Sequence, residues 1–184
     1  TLIDKREFDA HIVGADIKSD LSVIKIDSKE RLPHVVLGRS DDLMIGETVI
    51  AIGNPFGLQH TVTTGIISAL HRSIKGGKNR VYRDFIQLDA SINPGNSGGP
   101  LLNINGSLIG VNTAIYQQAE GIGFAIPIDK AKRIIDDLIR YGKVRRGWLG
   151  ISVQDVTKEM LRFFHLDQIR GVVIVQVMKS SPGD

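Results

Sequence analysis

The sequence contains no cysteine, and this absence removes several kinds of chemistry. Without a thiol the chain has no disulfide, no thiolate nucleophile and no cysteine-bound metal. No apolar run is long enough to span a bilayer. The net charge of +3 is small, which excludes the strongly basic character typical of nucleic-acid binding. The chain also lacks an initiator Met and ends abruptly after an apolar run, so we expect a fragment at both ends.

Metal and phosphate sites are not predicted either. No two of the histidines have the close spacing of a zinc-binding pair, and none carries a local signature of a catalytic base. Gly76-Gly77-Lys78 lacks the rest of a phosphate-binding loop, because Asn79 stands where that motif requires Ser or Thr. We expect a mobile basic loop there. The histidines are His11, His34, His60, His71 and His165.

The most informative segment is Gly95-Asn96-Ser97-Gly98-Gly99-Pro100. A serine between two glycine turns has an accessible hydroxyl, and the flanking N–H groups can point to one place, as a nucleophile beside an oxyanion hole requires. The same residues are also ordinary turn chemistry, and the six alone favour neither interpretation. An Asn105-Gly106 turn follows between two apolar runs. The segment from Gly95 to Pro100, called the serine loop below, therefore leads into a predicted β-hairpin.

Short β-prone runs separated by turn residues predict a barrel or sandwich. One helix is predicted, with Asp129 as its N-cap, apolar residues from Ala131 to Ile139 on one face, and Gly142 as its left-handed C-terminal residue. The predicted strands are residues 8–13, 21–26, 48–52, 61–70, 81–88, 101–103, 108–115 and 123–128.

A second, smaller unit is expected after this helix. Residues 143–147 have the composition of a polar linker. A strand is predicted over residues 148–153, a short helix over 157–165 and an apolar run over 171–178. We therefore place a domain boundary between residues 144 and 145.

Asp20 is the best candidate for a carboxylate that orients a catalytic base. It lies at the start of an apolar strand, where a half-buried carboxylate could accept a hydrogen bond from an imidazole. An Asp in this position more commonly caps a turn, and the sequence around it does not distinguish the two roles.

Taken together, these motifs resemble the HtrA/Deg family of serine proteases. The resemblance runs almost without a break from Phe8 to Ile151 and implies an all-β, chymotrypsin-like double β-barrel with an incomplete first barrel and one C-terminal helix. It implies a protease domain over residues 1–144 and the start of a PDZ domain over 145–184. The supporting segments are Ser19 to Lys25 around Asp20, residues 51–57, 85–90, 109–114 and 121–127, and Arg146 to Ile151.

The resemblance also implies roles for individual residues. Ser97 would be the nucleophile and Asp20 the carboxylate of a catalytic triad, with no cofactor and no metal. The N–H groups of Gly95 and Ser97, shaped by Asn96, would form the oxyanion hole. The remaining implied residues are Ser91 and Ile92 in the pocket for the residue before the scissile bond, Asn112, Thr113 and Ala114 pairing with a substrate strand, and Trp148, Leu149, Gly150 and Ile151 in a PDZ carboxylate loop.

Two substitutions relative to digestive proteases bear on specificity and activation. Ser91 gives a small, neutral pocket, so the resemblance implies cleavage after small aliphatic residues. The neutral Asn96 cannot form a buried ion pair with a new amino terminus, so activation would come from loop ordering. Arg72, at the start of a basic loop reaching about Asp84, would be the sensor in that ordering.

The catalytic histidine of the family is missing from its expected place. In the family it precedes the aspartate, in a Thr-Asn-His or similar segment, and His11 is too close to Asp20 to fill that role. We expect the base, and a trimer-forming segment, in residues outside this chain. A non-enzymatic chaperone or peptide-binding scaffold is the alternative, and a purely structural barrel a third.

The family implies a bacterial periplasmic quality-control protease that binds unfolded proteins, takes C-terminal peptides at its PDZ domain and assembles as a homotrimer or higher oligomer. Membrane attachment of the intact protein is left open. No nucleic-acid partner is expected.

Overall fold

The computed structural model describes residues 1–54, 61–76, 80–113, 121–165 and 167–184. These residues divide into two compact units, Thr1–Val144 and Arg145–Asp184, referred to below as the N-terminal and C-terminal units. No helix in the described part of the chain is both long and apolar enough to cross a membrane. The elements in chain order are β1 (Ala10–Asp16), β2 (Leu21–Ile26), β3 (Thr48–Gly53), β4 (Thr61–Gly76), β5 (Arg80–Leu88), β6 (Pro100–Asn103), β7 (Leu108–Thr113), β8 (Gly123–Pro127), α1 (Ile128–Tyr141), β9 (Ile151–Asp155), α2 (Lys158–Phe164) and β10 (Val172–Val177).

The centre of the N-terminal unit is a closed antiparallel barrel of six strands, in the order β3-β4-β5-β8-β7-β6. Strands β1 and β2 form a separate two-stranded antiparallel sheet. The mostly-β, chymotrypsin-like fold predicted from the sequence is confirmed. Closure of the barrel leaves no free strand edge within it, and it gives every strand one face toward a common interior.

The barrel interior is filled by aliphatic side chains from alternate positions of its strands. In β3, Val49 and Ala51 are fully buried, while Thr48, the first residue of the strand, is exposed. Successive side chains of a strand point to opposite faces, and this pattern follows from that period of two. Each buried Val, Leu or Ile side chain stabilises the fold by about 1.5–3 kcal/mol. The interior cluster consists of Val49, Ala51, Ile67, Ile86, Leu88, Ala90, Leu101, Ile109 and Ala125.

Helix α1 closes one side of the barrel with its apolar face. Ile128 and Ala131 pack against Phe85 and Phe124, whose rings meet edge to face with centroids 6.4 Å apart. The helix ends as predicted, because Gly142 has a φ of 69° and donates its N–H to the Leu138 carbonyl at 2.9 Å.

The predicted N-cap of α1 is wrong. Asp129 lies inside the first turn, after Pro127 at the cap position. Its Oδ2 accepts hydrogen bonds from the Ser40 N–H at 2.7 Å and the Ser40 hydroxyl at 3.1 Å, while Lys132 Nζ lies 2.9 Å from its Oδ1. The Lys132 ammonium and the Ser40 N–H lower the pKa of Asp129 to about 2. The carboxylate therefore ties α1 to a distant loop instead of capping its own helix.

Strand β4 is longer than predicted, which changes the setting of Arg72. The sequence placed Arg72 at the start of a loop reaching about Asp84, and this is wrong: Arg72 lies in β4, paired with Phe85 of β5. Beside this pair, His71 and Asp84 both have left-handed backbones, with φ of 55° and 62°, and their side chains meet at 2.8 Å. Residues 77–79 lie outside the described residues.

The C-terminal unit contains an antiparallel pair, β9 with β10, and the short helix α2. Thr157 caps α2 by accepting a hydrogen bond from the Met160 N–H at 3.4 Å. The strand expected to begin at Trp148 begins at Ile151, and the three residues before it are not in a strand.

Candidate active site

The predicted nucleophile lies directly after a tight turn formed by residues 93–96. The Asn96 N–H donates to the Asn93 carbonyl at 2.9 Å, and Gly95 has a φ of 103°. Because Pro94 is restricted to negative φ, this combination defines a type II turn, whose third position requires a positive φ. Glycine takes that conformation without steric cost. The turn fixes the direction of the Gly95 N–H, and Ser97 follows it with an exposed side chain.

Asn96 fastens the serine loop to the wall of the predicted substrate pocket. Its side chain is 1% exposed, and its Nδ2 donates to the Ser91 carbonyl at 3.2 Å. The Thr63 hydroxyl donates to the same carbonyl at 3.1 Å. Ile92 packs against the barrel interior. Of the two predicted pocket residues, Ser91 is therefore held by hydrogen bonds from the serine loop and from β4. Ile92 is held by packing against the barrel interior.

Strand β7 runs beside the serine loop and extends its pairing with β6. The Gly98 N–H donates to the Asn112 carbonyl at 2.8 Å, and the Asn112 N–H donates to the Gly99 carbonyl at 2.9 Å. Both backbone groups of Asn112 are thus used within the barrel, and its side chain is 1% exposed. The prediction that Asn112 pairs with a substrate strand is wrong for this reason. Ala114, predicted to do the same, lies outside the described residues.

Asp20 is contacted by Thr113, the residue of β7 that follows Asn112. Thr113, 3% exposed, donates its hydroxyl to Asp20 Oδ2 at 3.2 Å. Asp20 sits in the turn between β1 and β2 with a φ of 58°, and it is exposed, so the expected half-burial is wrong. Two consecutive residues of β7 therefore contact the two predicted catalytic segments: Asn112 contacts the loop of Ser97, and Thr113 contacts Asp20.

No histidine in the described ranges forms a hydrogen bond with Ser97 or Asp20. The exposed His71 pairs with Asp84, and His165 ends helix α2. His60 lies outside the described residues. Within those same ranges, no group of three His, Asp or Glu side chains could hold a metal ion. Of the other histidines, His11 lies opposite Lys25 in the β1–β2 sheet, and His34 lies near the Leu32 carbonyl.

Arg72, predicted as a regulatory residue, contacts β5. Its Nε donates to Gln87 Oε1 at 3.0 Å. These two side chains line a cavity of about 340 Å³ together with Ile122 and Phe124. Gln87 precedes the fully buried Leu88, so the Arg72 side chain is hydrogen-bonded to a strand that contributes to the barrel core.

The predicted PDZ carboxylate loop lies in the C-terminal unit. Its Trp148 and Leu149 side chains are about 60% exposed. The Leu149 carbonyl accepts from the Gly183 N–H at 2.9 Å, and the Gly150 carbonyl accepts from the Met178 N–H at 2.8 Å. These bonds fix the backbone immediately before Ile151.

Comparison with known proteins shows which family the chain resembles. The family model described as "Trypsin-like peptidase domain" matches residues 1–111. A "Probable periplasmic serine endoprotease DegP-like" of Hahella chejuensis is 48% identical over 186 residues, covering 100% of this chain and 39% of the relative. The protein of the same name in Chlamydia trachomatis serovar D is 52% identical over 191 residues, covering 100% of this chain and 37% of the relative.

The chain belongs to the HtrA/Deg family of trypsin-like peptidases. A solved structure titled "HtrA-type protease AlgW with decapeptide" superposes with a TM-score of 0.83 at 48% identity, covering 98% of this chain and 55% of that one. The chain spans about two fifths of the length of the curated HtrA/Deg relatives that it matches.

Two site contacts were not predicted from the sequence: the Thr113 hydroxyl on Asp20 and the Thr63 hydroxyl on the Ser91 carbonyl. The first joins residues 93 positions apart and the second residues 28 apart. The only sequence signal in both cases is a Thr inside a predicted strand, and this does not indicate which residue its hydroxyl contacts.

Proposed function

We propose that the chain carries the nucleophile and the carboxylate of a periplasmic serine endopeptidase that degrades unfolded or damaged proteins. The adjacent contacts of β7 carry this proposal, because Thr113 binds Asp20 while Asn112 binds the loop of Ser97. The names of the DegP-like relatives support both the activity and the periplasmic location. They do not favour the alternative of a non-enzymatic scaffold.

The proposed reaction is acyl-enzyme hydrolysis. Ser97 Oγ attacks the scissile carbonyl while an imidazole takes its proton and then gives it to the leaving amine. The Gly95 and Ser97 N–H groups stabilise the oxyanion, for which the type II turn is suited. Water then hydrolyses the ester, again with the imidazole as base. Asp20 holds the imidazole, which we assign to a histidine outside this chain, so the 184 residues alone retain only residual activity.

The substrate is proposed to be an extended peptide segment with a small aliphatic residue before the scissile bond. Ser91 gives the pocket no charge, and Ile92 gives it an apolar surface. Thr113, the last residue of β7, and Ala114 after it are proposed to pair with the substrate backbone by β-addition. Solved HtrA-type relatives are titled as complexes with a decapeptide and a tripeptide, which supports peptide binding.

The C-terminal unit is proposed to be the start of a PDZ domain. The backbone of Trp148, Leu149, Gly150 and Ile151 would bind the carboxylate of C-terminal peptides. Arg72, whose Nε donates to Gln87, is proposed as the sensor in the loop ordering that activates the protease. We further propose a homotrimer or higher oligomer for the intact protein.

The experiment is degradation of a denatured protein by the intact protease and two serine variants. Ser97→Ala is expected to lower the rate by at least about 10³-fold, since it removes the nucleophile. Ser107→Ala, in the β6–β7 hairpin that follows the serine loop, is the control and should degrade the substrate at the parental rate. Parental activity in Ser97→Ala would refute the proposal.

A further inference from the structure

The buried side chain of Asn112 replaces backbone hydrogen bonds between β3 and β6 at the point where the serine loop enters β6. The pairing of β3 with β6 ends at Ala51 and Leu101, and the next pair would be Ile52 and Pro100. Proline has no N–H, so Pro100 cannot donate a ladder hydrogen bond to β3. Asn112 Nδ2 instead donates to the carbonyl of Pro100 at 3.0 Å and to that of Ile52 at 3.4 Å. One side-chain amide thus joins the two strands where their backbone pairing stops.

The orientation of this amide is fixed by its surroundings. Asn112 Oδ1 is buried and has no hydrogen-bond partner among the described residues. Exchanging the oxygen and nitrogen would place the oxygen against two carbonyl oxygens, so only the donating orientation fits. An apolar side chain would fill the position without a buried unpaired oxygen. Packing alone therefore does not require an asparagine here, and the feature that an apolar residue would lack is the pair of hydrogen bonds to Ile52 and Pro100.

Asn112 also contacts every residue of the short segment that follows the nucleophile. Its carbonyl and N–H bind Gly98 and Gly99, and its side chain binds Pro100. Gly99 has no room to move toward β3, because a Cβ on it would lie 2.2 Å from the Ile52 carbonyl oxygen. The segment after Ser97 is thus clamped between β3 and β7.

We propose that Asn112 is a positioning residue for catalysis, a role distinct from the substrate pairing first expected of it. The amide locks the segment after Ser97 to β3, and the backbone of Asn112 locks it to the strand whose next residue, Thr113, holds Asp20. The nucleophile and the carboxylate therefore keep one relative geometry. This inference rests on the proposed protease function.

The test compares Asn112→Leu with Ile109→Ala in the intact protease. Ile109 lies in the same strand, is 1% exposed and contacts the barrel interior, so its truncation provides a matched loss of core stability. Both variants are assayed with a short peptide substrate, at a temperature where far-UV circular dichroism shows them folded. Asn112→Leu should lower kcat by about 10- to 100-fold with KM changed less than about threefold, because misplacement of reacting groups acts on the chemical step. Ile109→Ala should keep the parental kcat.

An equal kcat in Asn112→Leu and Ile109→Ala would overturn the inference. If Asn112→Leu does not fold, Asn112→Ser takes its place, since it retains a hydroxyl donor but does not reach both carbonyls, and the same fall in kcat at constant KM is required. Ser97→Ala, measured alongside, separates the two levels: its full activity would refute the protease itself, whereas its inactivity with an unaffected Asn112 variant would refute only the positioning role.

Discussion

Replacing Thr113 by Val in the intact protease removes the hydroxyl that contacts Asp20 and almost nothing else. The two side chains have nearly the same shape, and the site is 3% exposed, so the packing of β7 is retained. Hydrogen bonds to charged groups contribute about 1.5–3 kcal/mol. The Oγ1 to Oδ2 distance of 3.2 Å is longer than the usual range for O–H···O bonds, so we take the lowest energy of that range, about 1.5 kcal/mol.

That energy corresponds to a loss of about tenfold in kcat/KM. The loss should fall on kcat, because Asp20 acts on the base and not on the substrate. Initial rates with a chromogenic peptide measure both constants, and Thr48→Val, at an exposed position of β3, is the control. A kcat/KM for Thr113→Val within twofold of the parent would refute the idea that this hydroxyl orients the carboxylate.

Two further predictions concern the turn and the helix anchor. Gly95→Ala should lower kcat by about 10²-fold with little change in KM. A φ of 103° is strained for alanine, and a turn that flips to relieve the strain no longer directs the Gly95 N–H at the oxyanion. Kinetics with the same peptide measure this, and an unchanged kcat would contradict it. Asp129→Asn should lower the free energy of unfolding by about 1 kcal/mol at pH 7, because solvent partly screens the carboxylate. Because the folded pKa of Asp129, about 2, is below its ordinary value of 3.8, the ionised carboxylate stabilises the fold fully above about pH 5, and this contribution is lost as the pH falls toward 2. Urea unfolding at pH 7 and pH 3 tests this, and a difference between parent and variant that is equal at both values would contradict it.

Local patterns predicted the elements that depend on near neighbours in sequence. The Asn105-Gly106 turn lies between β6 and β7 as expected, with a φ of 75° at Gly106. The helical spacing of apolar residues correctly predicted α1, and Gly142 correctly predicted where the helix ends. In each case the deciding interaction joins residues within about one turn of chain, where side-chain periodicity and backbone preference act directly.

The errors arose where distant residues meet. Asp129 looked like an N-cap, yet its hydrogen-bond partner Ser40 lies 89 residues away. The Gly and Lys residues after Arg72 predict a loop there, whereas cross-strand pairing with Phe85 continues β4 through Arg72. Asn112 was expected to face the substrate, but closure of the barrel turns it toward Ile52 and Pro100. Such partners are set by topology, which the local pattern does not contain.

Reaction of the intact protease with a fluorophosphonate, followed by peptide mapping, tests the central claim most directly. A hydroxyl activated by a base and an oxyanion hole reacts with such a reagent, while an ordinary serine does not. The account predicts one adduct, on Ser97, and its disappearance after acid unfolding before labelling. An adduct on another serine, or none from protein that still degrades its substrate, would contradict it.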